Sequence, residues 1–450
     1  MTVTLEARKI FALAWPAMLT STAWTLMQMI DIAILQQSRP SELAKLAGAR
    51  ALILVFVSMM GAGLCGVLTF SAIASGAGQK QELARLVRSS LMFATVSGTF
   101  LAFVIAAFGR SLLLMMGVES QLDGTLHVLY GMIIALPPLA VAIALSMYLE
   151  AIGKPIIVVA VNLLLMPLNA ILAWQWASKT PLAGASGALG IVLASSTITM
   201  LGAAILLCIV MASCEADELD VTIPMPRTLV WQLAGFGILP AISTGLQVVG
   251  IGNLIARSLR LEHADVTAFQ IMMAMQNIGV TIASGFATAA GVRVANAIGE
   301  NDARSAQHRA VLCLAICLAI VAFFAFGTTL IYNVALDWWP LEKEVAISIR
   351  REAAFIAIWT IAVSFQLMLS AVMVALKDQI VAAACAIFGS FAIIIMVSFA
   401  TPMGLSIERL VLCGIVPTIA VAFVQTMRLA YLRVDMRYKS LNRDDTSSRY

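Results

Sequence analysis

The sequence carries little charge for its length. Its 450 residues include 28 Lys and Arg, 24 Asp and Glu, and 3 His. Charged residues therefore make up 12% of the chain, about half the share that is usual in soluble globular domains. Hydrophobic residues make up 61%, and the mean hydropathy is +0.97. Because a soluble protein of this size needs more charge to cover its surface, the composition indicates that the solvent of this chain is a bilayer.

Several functional motifs are also missing. The seven Cys form no CxxC pair, which argues against a redox or zinc motif, and no basic run is interleaved with aromatic residues, so we expect no nucleic-acid partner. A membrane-embedded enzyme would need paired acids, a Ser–His arrangement or a His cluster, and Asp31 with His127 does not supply these. We therefore expect neither enzymatic activity nor a cofactor or bound metal.

What remains is a series of long stretches without any charge. Cutting the sequence at Asp, Glu, Lys and Arg leaves twelve of them, each near or above the roughly 18–20 residues that a membrane-spanning helix needs. They are residues 10–38 (interrupted only by Asp31), 51–79, 89–109, 124–149, 155–178, 180–214, 228–256, 266–292, 310–336, 353–376, 379–407 and 410–427. The sequence thus predicts an all-α polytopic membrane protein with twelve transmembrane helices.

The distribution of Lys and Arg predicts the orientation. With a cytoplasmic N-terminus, 17 of the 28 basic residues lie on the cytoplasmic side, as the positive-inside rule favours. Trp174, Trp176, Trp338 and Trp339 then fall near the outer interface, where aromatic belts occur. We expect a multi-pass protein of the cell membrane, with a bacterial inner membrane as the expected location, and a monomer.

Internal similarities suggest a duplication. Pro16 is matched by Pro240, Gly78 by Gly299 and Lys154 by Lys377, at separations of 224, 221 and 223 residues. These spacings predict two pseudo-symmetric six-helix lobes. The expected limits are 1–213 for the N-lobe, 214–228 for a cytoplasmic linker, 229–431 for the C-lobe and 432–450 for a cytoplasmic tail.

Asp31 is the acid that stands out, because it lies deep in the first apolar stretch. A carboxylate there is costly unless it is protonated, paired or hydrated, so we interpret Asp31 as a proton or cation site. The alternative is an acid of the outer rim that contacts water at the membrane interface. Pro16 predicts a bend in the same helix. Neutral polar residues of the spans are candidates for lining a central cavity, and they are Trp24, Gln28, Gln247, Gln270, Asn277 and Gln366. Each Gln or Asn is equally compatible with a hydrogen bond between helices.

Five segments resemble the multidrug and toxic compound extrusion (MATE) family. They are Leu13–Ala17 with Ile30–Asp31, Leu149–Pro155, Leu168–Asn169, Gly184–Ala188 and, most specifically, Gly291–Gly299. The resemblance implies an antiporter that expels organic, often cationic, drug-like compounds in exchange for H⁺ or Na⁺. It further implies that Asp31 and Asn169 form the coupling site.

The chain departs from the family pattern at three places. Ala173 stands where many members carry an acid four residues after the Asn, and Gln247 or Val248 and Val363 stand where some members carry acids in the C-lobe. Fewer carboxylates favour H⁺ over Na⁺ as the coupling ion.

Two other transport functions are weighed against this one. A lipid-linked glycan flippase of the same superfamily is the main alternative, and it would need Lys or Arg within the cavity to hold a pyrophosphate. A major-facilitator transporter would share the six-plus-six plan, but the loop from Gly78 to Arg88 lacks the basic motif of that family.

Overall fold

In the computed structural model, the described residues are 3–119, 121–178, 187–213, 227–334, 342–400 and 405–447. Within these ranges the chain contains fourteen α-helices, one 3-10 turn at Pro40–Glu42 and no strand. The helices are α1 Val3–Ser38, α2 Leu43–Gly63, α3 Cys65–Gly76, α4 Lys80–Met115, α5 Leu122–Ile133, α6 Leu136–Ala151, α7 Pro155–Ser178, α8 Ala188–Ser213, α9 Arg227–Ser258, α10 His263–Gly299, α11 Ala303–Val334, α12 Lys343–Ala375, α13 Gln379–Ala400 and α14 Ile407–Ser447.

These helices account for twelve membrane spans in the described chain. Eleven segments are long and apolar enough to cross a membrane, α2 and α3 counting as one, and α5 with α6 forms a twelfth that is bent by 45°. Helix is the expected outcome because hydrocarbon offers no partners to backbone N–H and C=O groups, which a helix pairs within itself. Each span overlaps one predicted stretch, so the all-α fold with twelve spans is confirmed.

Many helices extend beyond the stretches from which they were predicted. α4 covers Lys80–Met115 where the uncharged stretch is 89–109, and α12 begins at Lys343 where the stretch begins at 353. The extra turns carry charged residues, because a helix end that reaches the headgroup region or water tolerates charge. Charged side chains therefore lie within helices and not only between them.

Four sharp turns of the same shape follow helices at equivalent places in the two halves. Each contains one residue with positive φ, a conformation that glycine adopts without strain. These residues are Gly78 (68°) after α3, Gly153 (78°) after α6, Asn301 (58°) after α10 and Lys377 (62°) after α12. In each turn the following N–H donates to a carbonyl five residues earlier, at 3.0, 2.8, 3.0 and 2.9 Å, which is the Schellman arrangement.

The turns give the register of the duplication. Asn301 follows Gly78 by 223 residues, and Lys377 follows Gly153 by 224 residues. The backbone counterpart of Gly78 is therefore Asn301, two residues beyond the Gly299 that the sequence comparison selects. The two pseudo-symmetric lobes expected from the sequence are visible in this recurrence.

The chain forms two compact units. The N-terminal unit is Pro16–Ala241, and the C-terminal unit is Met1–Trp15 with Ile242–Tyr450. The boundaries fall within α1 and α9, at Pro16 and one residue after Pro240. Prolines inside helices remove one backbone hydrogen bond and weaken the helix there.

This division differs from the lobe limits that the duplication suggests, because the first halves of α1 and α9 are exchanged. Phe11 packs edge-on against Phe286, with ring centroids 5.6 Å apart, and so joins the start of α1 to α10. Phe236 packs against Phe70 at 5.0 Å and joins the start of α9 to α3. The limits 1–213 and 229–431 describe the duplicated segments and stay a prediction. Residues 214–226 of the expected linker, as well as Trp338 and Trp339, lie outside the described residues.

Each unit has its own apolar core. In the N-terminal unit, buried residues of α4, α6, α7 and α8 pack together, and α4 approaches α6 at Gly98, where a Cβ would lie 2.8 Å from the Leu136 carbonyl oxygen. In the C-terminal unit, Phe269, Trp359 and Leu410 are buried in the core of α10, α12 and α14. Large apolar side chains are exposed elsewhere, such as Phe323 at 78%, as a lipid-facing surface requires.

Candidate functional site

Asp31 lies in α1, about two helical turns before the helix ends at Ser38. Only 2% of the residue is exposed, although most of the surrounding sequence is apolar. A buried carboxylate is tolerated when neighbours replace the hydrogen bonds of water. The structure supplies these neighbours from three other helices of the N-terminal unit.

Three side chains donate hydrogen bonds to the Asp31 carboxylate. Asn169 of α7 donates from Nδ2 to Oδ1 at 3.1 Å, and Ser195 of α8 donates from Oγ to Oδ2 at 3.1 Å. Arg50 of α2 donates from Nη2 to Oδ2 at 2.5 Å and forms an ion pair. One acid thus joins α1, α2, α7 and α8, so a change in its charge alters contacts among four helices.

Arg50 holds Asp31 and the backbone of α1 at the same time. Its Nη1 donates to the Gln28 carbonyl oxygen at 3.0 Å, three residues before Asp31 in the chain. The Arg50 side chain is 19% exposed and the Asp31 side chain 3%. The guanidinium therefore neutralises a buried charge while part of its own side chain lies at the protein surface.

The site contains one polar atom that has no partner. The Asn169 Oδ1 atom is buried and accepts no hydrogen bond within the described chain. This oxygen is an unused acceptor beside the Asp31 carboxylate, to which Arg50, Ser195 and the Asn169 amide nitrogen all donate hydrogen bonds. Among the described residues, no group of three His, Cys, Asp or Glu side chains is gathered as a metal site of those ligands would need.

A second cluster of charges lies in the C-terminal unit. Glu6 at the start of α1 is 2% exposed and accepts from Arg293 Nη2 at 2.5 and 2.8 Å, while Arg309 Nε lies 2.9 Å from its Oε1. Arg309 also donates from Nη2 to Glu300 at 2.8 Å. These contacts attach the first turns of α1 to α10 and α11, and they explain why residues before Pro16 pack with this unit.

The comparisons with known proteins agree with this architecture. The family model MatE matches residues 16–175 and 251–400, more than two thirds of the chain. The chain belongs to the MatE family. The predicted family is thus confirmed, and since members of the MatE family are transporters rather than enzymes, so is the expectation that the chain is not an enzyme.

Individual relatives are distant. Protein DETOXIFICATION 20 of Arabidopsis thaliana is 23% identical over 330 residues, which cover 72% of this chain and 66% of that protein. The probable multidrug resistance protein NorM of Caulobacter vibrioides is 25% identical over 310 residues, which cover 65% of this chain and 63% of that protein. The match therefore spans slightly less than two thirds of either relative. The eukaryotic MATE transporter AtDTX14 has the same fold, with a TM-score of 0.82, 18% identity, and coverage of 95% of this chain and 96% of that chain.

The structure brings some of the predicted MatE site residues together. Asp31 and Asn169, 138 residues apart, are hydrogen-bonded, and Ala173 is fully buried in the same unit. Trp24 is 38% exposed, and the Gln28 side chain is exposed while its carbonyl meets Arg50. The other cavity candidates belong to the C-terminal unit, where Gln247 and Gln366 are half-buried and Gln270 and Asn277 are exposed. Their common cavity stays a prediction.

Sequence reasoning missed Arg50, Ser195 and Glu6. Arg50 directly precedes the uncharged stretch 51–79. Because each stretch was defined as ending at a charged residue, Arg50 was necessarily placed outside the predicted span. α2 begins at Leu43, so Arg50 lies two turns inside the helix. Asp31 lies in a stretch that is otherwise free of charge, yet it has a basic partner in the folded protein. The position of Arg50 directly beside a charge-free stretch was the available signal that it belongs to the same helix.

Glu352 was missed for the same reason. It precedes the stretch 353–376, yet it lies in the third turn of α12 and is 1% exposed. Its Oε1 accepts from Arg351 Nε at 2.8 Å, and its Oε2 has no partner within the described chain. The C-terminal unit thus holds a buried carboxylate, although Gln247 and Val363 occupy the positions where an acid was sought.

Proposed function

We propose that this MatE protein is a proton-coupled antiporter that exports organic, often cationic, drug-like compounds by alternating access, with Asp31 as the coupling carboxylate. The observation that carries the proposal is that Asp31 is buried and accepts hydrogen bonds from α2, α7 and α8. Protonation removes the charge that holds these contacts. A proton can therefore change the packing of the N-terminal unit, as coupled transport requires.

The chemistry of the neighbours supports H⁺ as the coupling ion. A hard metal cation binds through several oxygen ligands, whereas Arg50, Asn169 and Ser195 all present hydrogens to the carboxylate. Ala173 adds no ligand where a second acid would. Na⁺ coupling is the less favoured variant of the same proposal.

The substrate class rests on relatives and on the exposed residues of α1. The NorM relative is named a probable multidrug resistance protein. Trp24 offers an aromatic surface that can bind organic cations. In this proposal, Gln28, Gln247, Gln270, Asn277 and Gln366 line the cavity together with Trp24. Pro16 is the hinge of α1, and the protein works as a monomer in a bacterial inner membrane.

The flippase alternative remains second, because the basic residues that lie within helices are already paired with acids. Arg50, Arg293 and Arg309 lie within helices, although none of them falls inside an uncharged stretch of the sequence. Each of these guanidiniums already contacts a carboxylate of Asp31 or Glu6. Binding a pyrophosphate would require one of these pairs to separate, whereas proton-coupled export uses the Asp31 pair as it stands.

Transport in proteoliposomes tests the proposal. Export of a cationic dye driven by a pH gradient, with Na⁺ clamped, should be lost in Asp31→Asn, which mimics the protonated acid. Glu352→Gln is the matched control, because Glu352 is equally buried but its carboxylate is held by Arg351 of the same helix. We expect this variant to keep most of the export. Wild-type export by Asp31→Asn, or export that follows a Na⁺ gradient at fixed pH, would refute the proposal.

A further inference from the structure

Arg50 occupies the place at Asp31 that an external cation would take. Its two terminal nitrogens reach Asp31 Oδ2 at 2.5 Å and the Gln28 carbonyl oxygen at 3.0 Å. Both of these oxygens are of the kind that coordinates hard cations. A guanidinium keeps its positive charge at all pH values that proteins encounter, so this internal cation cannot be removed by deprotonation.

The remaining neighbours define what would be left without Arg50. The Asn169 Oδ1 atom is buried without a partner, and Ser195 Oγ is 3.1 Å from Asp31 Oδ2. With Asp31 and the Gln28 carbonyl, four different residues would then offer oxygen atoms around one carboxylate. The protein therefore contains most of the oxygen ligands of a cation site, and the Arg50 side chain occupies two of them.

We propose that Arg50 is the resident counter-ion of Asp31 and that it determines ion selectivity by excluding Na⁺ while leaving the carboxylate able to accept a proton. This inference rests on the proposed function and adds a selectivity-determining residue to it. A proton needs only one oxygen lone pair and can bind while Arg50 remains nearby. A sodium ion needs the oxygens that the guanidinium covers, and it would place a second positive charge beside the first.

The energetic argument concerns the buried charge. Removing one partner of a buried ion pair leaves the other charge uncompensated, which is strongly unfavourable. A neutral residue at position 50 should therefore drive Asp31 to take up another cation. Arg50→Met is a suitable change because Met has similar length and flexibility but neither charge nor a hydrogen-bond donor.

Equilibrium binding of radioactive sodium to the purified protein tests this without transport. Wild-type protein should show no saturable binding at neutral pH, whereas Arg50→Met should bind one Na⁺ per chain saturably. The gained binding should disappear in the double variant Arg50→Met/Asp31→Asn. Arg39→Gln is the matched control, because Arg39 is 47% exposed and pairs with Glu42 in the same unit. That variant should bind no more sodium than wild type does.

The outcomes separate this inference from the proposed function. Asp31-dependent saturable binding in wild type, or no gain in a folded Arg50→Met variant, would overturn the role of Arg50 even if proton-driven export persists. If Arg50→Met does not fold, Arg50→Gln replaces it, since Gln keeps a polar contact to Asp31 while removing the charge. The same gain is expected there, and its absence counts against the inference equally. Conversely, normal export by Asp31→Asn would refute the proposed function without bearing on sodium binding.

Discussion

Replacing Glu6 by Gln should destabilise the C-terminal unit strongly. The Glu6 carboxylate lies between Arg293, whose side chain is 11% exposed, and Arg309, whose side chain is 4% exposed. Neutralising the acid leaves Arg293 without its carboxylate partner and Arg309 with Glu300 alone. Breaking a buried ion pair costs about 3–5 kcal/mol, and the amide oxygen of Gln retains one acceptor, so we expect about 3 kcal/mol of the free energy of unfolding to be lost.

Glu300→Gln is the internal comparison. It removes a carboxylate from the same Arg309, but the Glu300 side chain is 40% exposed, and an exposed pair contributes only about 0–1 kcal/mol. Unfolding of both variants in detergent should be followed by tryptophan fluorescence and, residue by residue, by hydrogen exchange. The loss of protection in Glu6→Gln should concentrate in residues 3–15 of α1 and the facing turns of α10. Equal stability losses in the two variants, or unchanged exchange at residues 3–15, would show that burial does not control the strength of this network.

Two further predictions concern helix packing and capping. Gly98→Ala should lower stability measurably, because the new Cβ would lie 2.8 Å from the Leu136 carbonyl oxygen and from Pro137 Cα. Gly61→Ala is the control and should be neutral or stabilising, because there is open space around its new methyl group. Thermal unfolding in detergent compares the two variants. Asp302→Ala should accelerate hydrogen exchange in the first turn of α11 at neutral pH, because the Asp302 carboxylate accepts hydrogen bonds from the side chain and the backbone N–H of Ser305. These hydrogen bonds hold the pKa of the Asp302 carboxyl below its ordinary value. The capping contribution of about 1 kcal/mol is present above the ordinary pKa of Asp and is lost as the pH falls through the lowered pKa of Asp302, so wild type and Asp302→Ala should exchange alike in strong acid. A difference in exchange that persists in strong acid would show that the Asp302 carboxylate is not the cause.

The number of spans was predictable because the bilayer imposes it on the sequence. A segment that crosses hydrocarbon must be apolar over its length and helical throughout, and both conditions are local. The ends of the helices were less predictable. α12 begins at Lys343, ten residues before the uncharged stretch, because Glu352 is buried in the core and does not mark a helix end. Cutting at charges treats a buried, paired acid and a solvated one alike.

The composition of the site depended on contacts that no local pattern contains. Arg50 and Asp31 are 19 residues apart and belong to consecutive spans, so their pairing was within reach of a helical-hairpin argument. Ser195 and Asp31 are 164 residues apart, and one serine among many carries no signal of its own. Asn169 was assigned to the coupling site through the family resemblance, and its hydrogen bond to Asp31 requires the packing of α7 against α1. Glu6 and Arg293, 287 residues apart, illustrate the same limit in the C-terminal unit.

Three buried carboxylates of the described chain differ in what protonation would do, and this difference is the reason why we propose Asp31 as the coupling acid. Protonating Glu6 would leave Arg293 without its carboxylate partner and Arg309 with Glu300 alone, and the two Arg side chains are only 11% and 4% exposed, so protonation of this acid is costly. Protonating Glu352 would release Arg351, which is 58% exposed and belongs to the same helix, so the change would stay local. Asp31 has one guanidinium partner, whose side chain is 19% exposed, together with neutral donors from two further helices. Of the three, Asp31 combines a tolerable protonated state with contacts that would transmit the change from helix to helix, and coupling an ion to a conformational change requires both.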